Sequence, residues 1–379
     1  MLMPAEDQVS LLIGGKEHSD WETYEIDSDL LIPADAWQVA LGVSAASVPD
    51  NVAVGNAVVV KIGQDTVLTG HVDEIAEPVN KSGHTFSMSG RDLAADLLDC
   101  ACPIFSLQEA TLKQIATTIC AEFKLGKPNI GAVATRIRKK VTVDPGVSAW
   151  DALVHAAEAN GLWPWFEPDG TLMVGGPDYS LPIVATLILR RDGQGNNVLS
   201  LDPQKSMAER YSKVTVYSQA PGSNSGDTFM AANNAVHATV TEDELFSNSP
   251  NNVKRHRPHI VIDNECDTPA ACKSRATKIL TDSRLKGFTL MAEVVGHRID
   301  APGQPSHGQL WKPMQRIRVI SEPHGLDGIY FLMARKLKRS RSTGTTTTLT
   351  LKEDRMWVTE AHPHNKHARG KNSLMGMFK

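Results

Sequence analysis

A histidine-rich run beginning at residue 362 has the residue types of a metal site. "HPHNKH" places His362, His364 and His367 close together, and imidazole nitrogens are common ligands of divalent cations such as zinc. A stable site also needs a rigid frame and hydrogen-bond partners behind the ligands. This run has a proline and a lysine between its histidines. We therefore interpret it as a solvated tail segment and predict no bound metal.

Two further motifs have the residue types of catalytic or nucleotide-binding chemistry but lack its spacing. "DPGVSAWDAL" resembles a nucleophile elbow, yet Trp150 stands where that motif needs a glycine two residues after Ser148. "RRDGQGNN" offers Gly193 and Gly195, but a strand pattern follows instead of the helix whose N-terminus would hold a phosphate. We therefore predict no catalytic residue and no cofactor.

The cysteines are odd in number and scattered, which argues against a disulfide framework and fits a reducing compartment. They are Cys100, Cys102, Cys120, Cys266 and Cys272. The pair in "CAC" has no second pair and no ligand histidine nearby, so we interpret it as structural.

Length and charge narrow the class of protein. The chain has 379 residues and a formal net charge of −4, and this length predicts two or three domains. No stretch approaches the roughly 20 apolar residues of a membrane helix, and the first residues are acidic where a signal peptide would be basic. We expect a protein that is made in a cytoplasm and does not insert into a membrane by itself.

The charged runs predict surface contacts rather than nucleic-acid recognition. Basic residues cluster at 335–341, in a strand-to-loop connection, and at 254–259, in a loop. The acidic run "TEDE" at 241–244 suits salt-sensitive contacts between neighbouring subunits. A nucleic-acid adaptor would also need exposed aromatic residues for stacking, and the aromatic content is only 6%.

The elements that would position any site are mainly strands. Two-residue alternation between Gly, Pro and Asn turns predicts antiparallel strands in the first hundred residues, and helical spacing begins at Ser106 and again at Ser148. We therefore predict an α+β, mainly β fold. Its domains are a first β-barrel at 1–101, an α/β insert at 102–180, a second β-barrel at 181–358 with loops 219–259 and helix 268–286, and a flexible C-terminal tail at 359–379.

Two stretches of the chain repeat one pattern of turns and strands. Residues 54–92 and 312–354 both give a strand, a strand entered through Gly70 or Gly328, and a strand that alternates apolar residues with Ser or Thr. The last strands stop at charged pairs, Arg91-Asp92 and Glu353-Asp354. This echo predicts two related small β-barrels, and three such chains would form a pseudo-six-fold ring.

"HTFSMSGRDLAADLLD" turns from strand spacing to helical spacing at its centre. We interpret the turn as a structural corner, built from Gly70, Gly90, Arg91, Asp92 and Gly328, where a barrel strand ends and the chain enters the insert. Gly90 would allow a bend that a side chain would hinder.

The order of motifs along the chain resembles the baseplate central hub proteins of contractile-tailed phages, especially those of Mu-like phages. The resemblance extends to about residue 358 and rests on these segments: "LTGHVDEI", "SMSGRDLAADLLD", "TLKQIATTIC", "SAWDALVHAAEANGLW", "ERYSKVTVYSQ", "LWKPMQRIRVI" and "GIYFLMARKLKRS". It implies a trimeric hub, similar to the hub portion of type VI secretion spike proteins. Such a hub joins the hexameric tail tube to the trimeric cell-puncturing spike.

We therefore predict a structural homotrimer and not an enzyme, located in the virion tail baseplate and assembled in the bacterial host cytoplasm. Its expected partners are the spike protein, the tail tube protein and other baseplate proteins, while DNA passes through without specific binding. The alternative is a tail-associated peptidoglycan hydrolase, which would need paired carboxylates in a cleft or a metal triad.

Two rows of hydroxyl residues are candidates for the lumen of the ring or for a subunit interface. If the apolar residues of the last strands face the barrel cores, alternate residues point away from them. These are Thr85, Ser87 and Ser89 in the first repeat and Thr346, Thr348 and Thr350 in the second.

Overall fold

The computed structural model describes residues 8–357 except 20, 44–51, 82, 132–137, 159, 219–235, 248, 250, 264–265 and 267. The histidine run and the expected tail at 359–379 lie outside these residues. Strands dominate the fold and helices are few, so the protein is of the α+β, mainly β class.

In the first part of the chain the described elements are strands. Alternating apolar residues such as Phe86 and Met88 point into a shared core that also contains Trp37. The strands are β1 Val9–Ile13, β2 Lys16–His18, β3 Thr23–Asp29, β4 Ala36–Val43, β5 Ala57–Ile62, β6 Asp65–Ala76, β7 Val79–Asn80 and β8 Gly83–Asp92.

The middle part mixes helices with short strands around a separate core that contains Leu97, Ile119 and Leu153. Its elements are α1 Ala94–Asp99, β9 Ser106–Ala110, α2 Leu112–Glu122, β10 Asn129–Ile130, β11 Arg138–Thr142, α3 Ala149–Glu158, β12 Trp163–Phe166 and β13 Leu172–Gly175. β12 and β13 form a hairpin across Asp169-Gly170, a residue pair typical of hairpin turns, with Gly170 at a φ of 84°.

The helix expected from Ser106 begins later than its spacing predicted. Residues 106–110 form β9, which pairs with β11 in antiparallel register. Thr111 then caps α2, because its hydroxyl accepts a hydrogen bond from the Gln114 amide while the Gln114 side chain accepts one from the Thr111 amide. The prediction of helix at 106–110 is wrong because backbone pairing with a distant strand outweighs the local pattern.

The last part contains two sheet regions and one long helix. Its elements are β14 Ile183–Leu189, β15 Ser200–Lys205, β16 Lys213–Ser218, β17 His237–Thr241, α4 Glu242–Phe246, β18 Pro258–Asp263, α5 Pro269–Gly287, β19 Phe288–Val295, β20 Arg316–Ser321, β21 Leu326–Ser340 and β22 Gly344–Glu353. Thr268 caps α5 and Pro269 is its first residue, as the sequence indicates.

Part of the region expected to be loop is regular structure. β17, α4 and β18 fall within residues 219–259 or cross their end, and β16 pairs with both β17 and β18. α5 packs on this three-stranded sheet through a core that includes Val214, Val216 and Leu280. The expectation of loop throughout 219–259 is wrong, because β17 and β18 pair with β16 at a distance in the sequence that the local composition does not reveal. Residues 219–235 are outside the described residues.

One sheet of 14 strands connects the first and last parts of the chain. Its order is β15-β19-β22-β21-β3-β4-β8-β6-β5-β1-β2, with β14 on β20, β20 on β21 and β7 on β8. Among the described residues no pairing joins the two ends of this order, so the structure does not confirm closed barrels. β21 is the connecting strand, because it pairs with β20, β22 and β3.

No helix in the described part of the chain is both long and apolar enough to cross a membrane.

Candidate assembly site

The large sheet contains the same five-strand arrangement twice. In the first sheet unit (β3, β4, β5, β6 and β8) the strand order is β3-β4-β8-β6-β5, and every neighbouring pair is antiparallel. In the second sheet unit (β15, β19, β20, β21 and β22) the order is β15-β19-β22-β21-β20, again antiparallel throughout. The repeat expected at 54–92 and 312–354 is therefore part of a larger repeat.

The two sheet units agree residue by residue. The pairing of β6 with β8 shifts between Val72 and Glu74, and that of β21 with β22 shifts between Leu332 and Ala334. A β-bulge thus lies at the same place in both units, which makes Val72 equivalent to Leu332. From this anchor the pairings of β4 with β8 and of β3 with β4 correspond without insertion to those of β19 with β22 and of β15 with β19, so that β3 is equivalent to β15. The outer strands differ, because the pairing of β5 with β6 has a further shift between Val60 and Lys61 that the pairing of β20 with β21 lacks.

This register corrects two equivalences that the sequence pattern suggested. Gly70 corresponds to Tyr330 rather than to Gly328, and it lies inside β6 rather than at its entry. Arg91 and Asp92 correspond to Lys352 and Glu353, one residue before the expected pair. The pattern could not place the bulges, and each bulge shifts every later residue by one position.

The hydroxyl rows occupy equivalent positions in the two units. The same register makes Thr85 equivalent to Thr346, Ser87 to Thr348 and Ser89 to Thr350. The residues between them are the buried ones: Phe86 and Met88 are each 1% exposed and Leu349 is fully buried. Both rows therefore lie on the strand face opposite to the cores.

The two rows differ in exposure. Thr85 is exposed and Ser87 and Ser89 are half-buried. Thr346, in contrast, is 2% exposed, and its hydroxyl donates a hydrogen bond to Glu293 Oε1 at 3.0 Å. Thr346 is thus covered within the chain by Glu293 of the neighbouring strand β19. Thr348 and Thr350 are half-buried.

The corner after β8 forms by close backbone contact rather than by a bend. β8 continues through Asp92, and a Cβ atom on Gly90 would lie 1.9 Å from the His71 carbonyl oxygen. Gly90 is thus required for the approach of β6, and the expected bend at this residue is wrong. The chain turns after Asp92, whose Oδ1 accepts a hydrogen bond from the Ala94 amide in the first turn of α1.

Arg91 links α1 to the sheet by hydrogen bonds. Its Nε donates to Asp73 at 2.7 Å, and two of its nitrogens donate to the carboxylate of Asp99 at 3.2 and 2.6 Å. These hydrogen bonds lower the pKa of Asp99. The residues expected at the corner therefore do meet there, except Gly328, which lies in the second sheet unit.

Buried charges surround a cavity of about 440 Å³ between the first sheet unit, the α/β part and the second sheet unit. Burial raises the pKa of Asp35 to about 7 and raises that of Asp92 well above its ordinary value. Arg335 lies beside the same cavity, donates a hydrogen bond to the Trp311 carbonyl and has its pKa lowered to about 10 by burial. Arg335 belongs to the basic run 335–341, which was expected in a surface connection but lies mostly in β21.

The two sheet units meet edge to edge within the chain. β21 residues Ala334 to Arg339 pair with β3 residues Asp29 to Tyr24, and Lys336 Nζ donates to Glu25 at 2.6 Å. We call this contact the internal joint.

A buried histidine links the internal joint to β22. Tyr24 hydroxyl and His297 Nε2 are 2.8 Å apart, and His297 Nδ1 lies 2.9 Å from the Thr347 hydroxyl. Burial and the charge of Arg335 lower the pKa of His297 to about 3, so its ring is neutral at physiological pH. The bulges and this pairing carry no local sequence signal, which is why sequence reasoning missed the internal joint.

Glu242 of the acidic run 241–244 belongs to a buried ion cluster, whereas Asp243 and Glu244 are exposed. Glu242 is 1% exposed and forms ion pairs with Arg210 and Arg284, and its Oε2 accepts a hydrogen bond from the Val253 amide at 2.6 Å. Arg284 also pairs with Glu353 at 2.9 Å. The cluster therefore joins α4, α5 and β22, and its burial corrects the expected role of Glu242.

No metal site is visible in the described ranges, where no group of three or more His, Cys, Asp or Glu side chains could hold an ion.

Comparisons with known proteins show that a chain with these two sheet units and the α/β part between them is a structural protein of phage tails. Four family models match consecutive parts of the chain. They are described as "Mu phage baseplate assembly protein GpP-like, N-terminal" at residues 8–92, "Baseplate hub protein gp44-like, second domain" at 94–176, "Tail protein NMB1110-like, third domain" at 210–280 and "Tail protein, C-terminal domain" at 282–356.

Relatives cover nearly the whole chain. The tail protein from Neisseria meningitidis MC58 has 36% identity, with 94% of this chain and 99% of that chain covered at a TM-score of 0.79. The baseplate hub protein gp44 of Escherichia phage Mu is 23% identical over 380 residues, which are 97% of this chain and 94% of gp44.

The 43 kDa tail protein of prophage MuSo2 from Shewanella oneidensis shares the fold, with a TM-score of 0.78, 23% identity, and coverage of 94% of this chain and 100% of that one. The chain belongs to the family of Mu-like phage baseplate hub and tail proteins.

Proposed function

We propose that three copies of this chain form the central hub of a tail baseplate and act as a symmetry adaptor between a hexameric tail tube and a trimeric spike. The observation that carries the proposal is the presence of two equivalent sheet units in one chain. Three chains around an axis present six such units to a six-fold partner, while the remaining parts keep three-fold symmetry.

The role we propose is binding without catalysis. Its partners are the tail tube protein, the spike protein and other baseplate proteins, and its place is the virion tail after assembly in the bacterial host cytoplasm. The family membership supports this role, and the hydrolase alternative has no supporting observation in the described residues.

The domain division remains part of the proposal. It comprises barrel-like domains at 1–101 and 181–358, the insert at 102–180 and a tail at 359–379. Within the ring, we place the hydroxyl row Thr85, Ser87 and Ser89 at the lumen, where neutral hydroxyls let DNA pass without the phosphate affinity of Lys or Arg.

Light scattering coupled to gel filtration tests the assembly. At micromolar concentration we expect three times the 41.2 kDa mass of one chain, with an interface above roughly 2,000 Å² per pair. The mass of a single chain would overturn the proposal. A further expected result is that the trimer retains both the tube protein and the spike protein of its own phage on an affinity column.

A further inference from the structure

Each strand of the internal joint has an equivalent strand in the other sheet unit. The corresponding edge of that equivalent strand has no partner among the described strands. In the internal joint, Ala334, Arg335 and Lys336 of β21 pair with Asp29, Ser28 and Asp27 of β3. By the register of the repeat, the β21 residues correspond to Glu74, Ile75 and Ala76 of β6, and the β3 residues correspond to Ser206, Lys205 and Gln204 at the end of β15.

Both equivalent edges are open within the described chain. The pairing of β5 with β6 ends at His71, so no described strand lies on that side of β6 from Glu74 to Ala76. β15 is the last strand of the large sheet and pairs only with β19 among the described strands. Within one chain the internal joint and the strands β19, β22, β4 and β8 lie between β15 and β6, and no described pairing joins these two strands.

We propose that the open edge of β15 in one copy pairs with the open edge of β6 in the next copy, which repeats the internal joint between chains. The occupant of each edge is thus a second copy of this protein. The contact joins different surfaces of the two copies, so it is heterologous and closes into a ring after a fixed number of chains. The inference rests on the proposed trimer and specifies the strands that build it.

Charge and exposure favour this contact. In the equivalent register Lys205 lies opposite Ile75 and diagonal to Glu77 of the next copy, and the side chains of Lys205 and Glu77 are exposed. Val79 and Leu199, which are 75% and 55% exposed, lie beside the same strands and would be covered at the end of the contact.

Two prolines set the length of the contact. Pro203 precedes Gln204 in β15, and Pro78 follows Glu77 after β6. Because proline lacks an amide hydrogen, the ladder ends there and comprises about three residue pairs. This limit distinguishes the contact from the internal joint, in which six pairs form.

Cysteine cross-linking tests the register. Ala76 and Gln204 are directly opposite in the proposed contact, a position in which two cysteines can form a disulfide. The Ala76→Cys, Gln204→Cys variant is made in a Cys100→Ser background, because Cys100 is an exposed thiol whereas the other native cysteines are buried. After oxidation with a copper–phenanthroline complex we expect a covalent trimer on a non-reducing gel.

The controls separate this contact from other arrangements. Each single variant, Ala76→Cys or Gln204→Cys, should stay at the mass of one chain, since a heterologous ring keeps the equivalent positions of its copies far apart. A pairing of Ala76→Cys with Gln194→Cys, another exposed glutamine, should give no trimer band. If the untreated protein is a trimer but the Ala76→Cys, Gln204→Cys variant links no better than this control pair, the contact is wrong and the trimer stands. If the untreated protein is monomeric, both proposals fall.

Charge exchange gives a second readout without cysteines. Lys205→Glu alone and Glu77→Lys alone should each weaken the trimer by about tenfold or more, because like charges then face each other. The double variant should recover most of the wild-type association. Additive weakening in the double variant would overturn the proposed contact.

Discussion

Gly70 and Gly90 each pack against the backbone carbonyl of the residue that follows the other glycine in the sequence. A Cβ atom on Gly70 would be 1.9 Å from the Arg91 carbonyl oxygen, and one on Gly90 would be 1.9 Å from the His71 carbonyl oxygen. β6 and β8 therefore approach each other closely at these two glycines, next to the bulge at Asp73. The first sheet unit depends on the absence of both side chains.

Gly70→Ala or Gly90→Ala should destabilise the protein by about 3 kcal/mol or more, because the new methyl group forces the strands apart. Urea unfolding followed by circular dichroism measures this loss. Gly126→Ala is the matched control, since Gly126 has no positive φ and no atom within 4 Å of a built Cβ. Equal effects at Gly90 and Gly126 would contradict the close approach.

Asp35→Asn should flatten the dependence of stability on pH between 5 and 8. The folded-state pKa of Asp35 is raised to about 7 from 3.8, so its favourable contribution is present below pH 3.8 and is lost as pH rises through 7. The wild type should thus lose unfolding free energy over this range. Asp144→Asn, at an exposed loop position, should keep the wild-type slope, and a slope unchanged by Asp35→Asn would refute the prediction.

Glu242→Gln should cost about 3 kcal/mol or more of unfolding free energy, because it removes the carboxylate that pairs with buried Arg210 and one of the two carboxylates that pair with buried Arg284. Glu244→Gln is the matched control, since glutamine can keep the capping box that Glu244 forms with Thr241. Denaturant midpoints of the two variants, compared at equal m-values, provide the measurement. Similar midpoints would show that Glu242 is not an essential part of the cluster.

Lysine at Thr85, Ser87 and Ser89 should leave the trimer mass unchanged while slowing DNA delivery, because a ring of ammonium groups binds phosphates. Glutamine at the same three positions is the control for size without charge. Light scattering checks assembly, and the rate of DNA release from assembled particles checks the conduit. A trimer structure with this row on its outer rim would exclude the lumen assignment.

Local patterns predicted the elements whose signals lie within a few residues. α3 and α5 begin directly after Ser148 and Thr268, whose hydroxyls accept hydrogen bonds from the Asp151 and Ala271 amides. The repeat was also visible in the sequence, because alternation and turn spacing survive even where residue identity does not.

Features that depend on distant backbone could not be predicted in this way. The local pattern of residues 106–110 predicts a helix, but pairing with β11 makes them strand β9. The local sequence around Glu242 predicts an exposed acid, but Arg210 and Arg284 enclose this side chain. The bulges at Asp73 and Met333 leave no signal in the alternation on either side. The proposed assembly depends on the internal joint. Among the described strand pairings, this is the one whose residues lie farthest apart in the sequence.

The internal joint also sets the order in which the molecule can be completed during translation. Lys336 and Glu25, which pair across it, are 311 positions apart, so the ribosome finishes β3 long before β21 exists. Until then the edge of β3 has only β4 beside it, and a bare edge is where chains aggregate. During most of its synthesis the chain therefore exposes the unpaired edge of β3. Only after β21 has been translated and has paired with β3 is the chain competent for assembly.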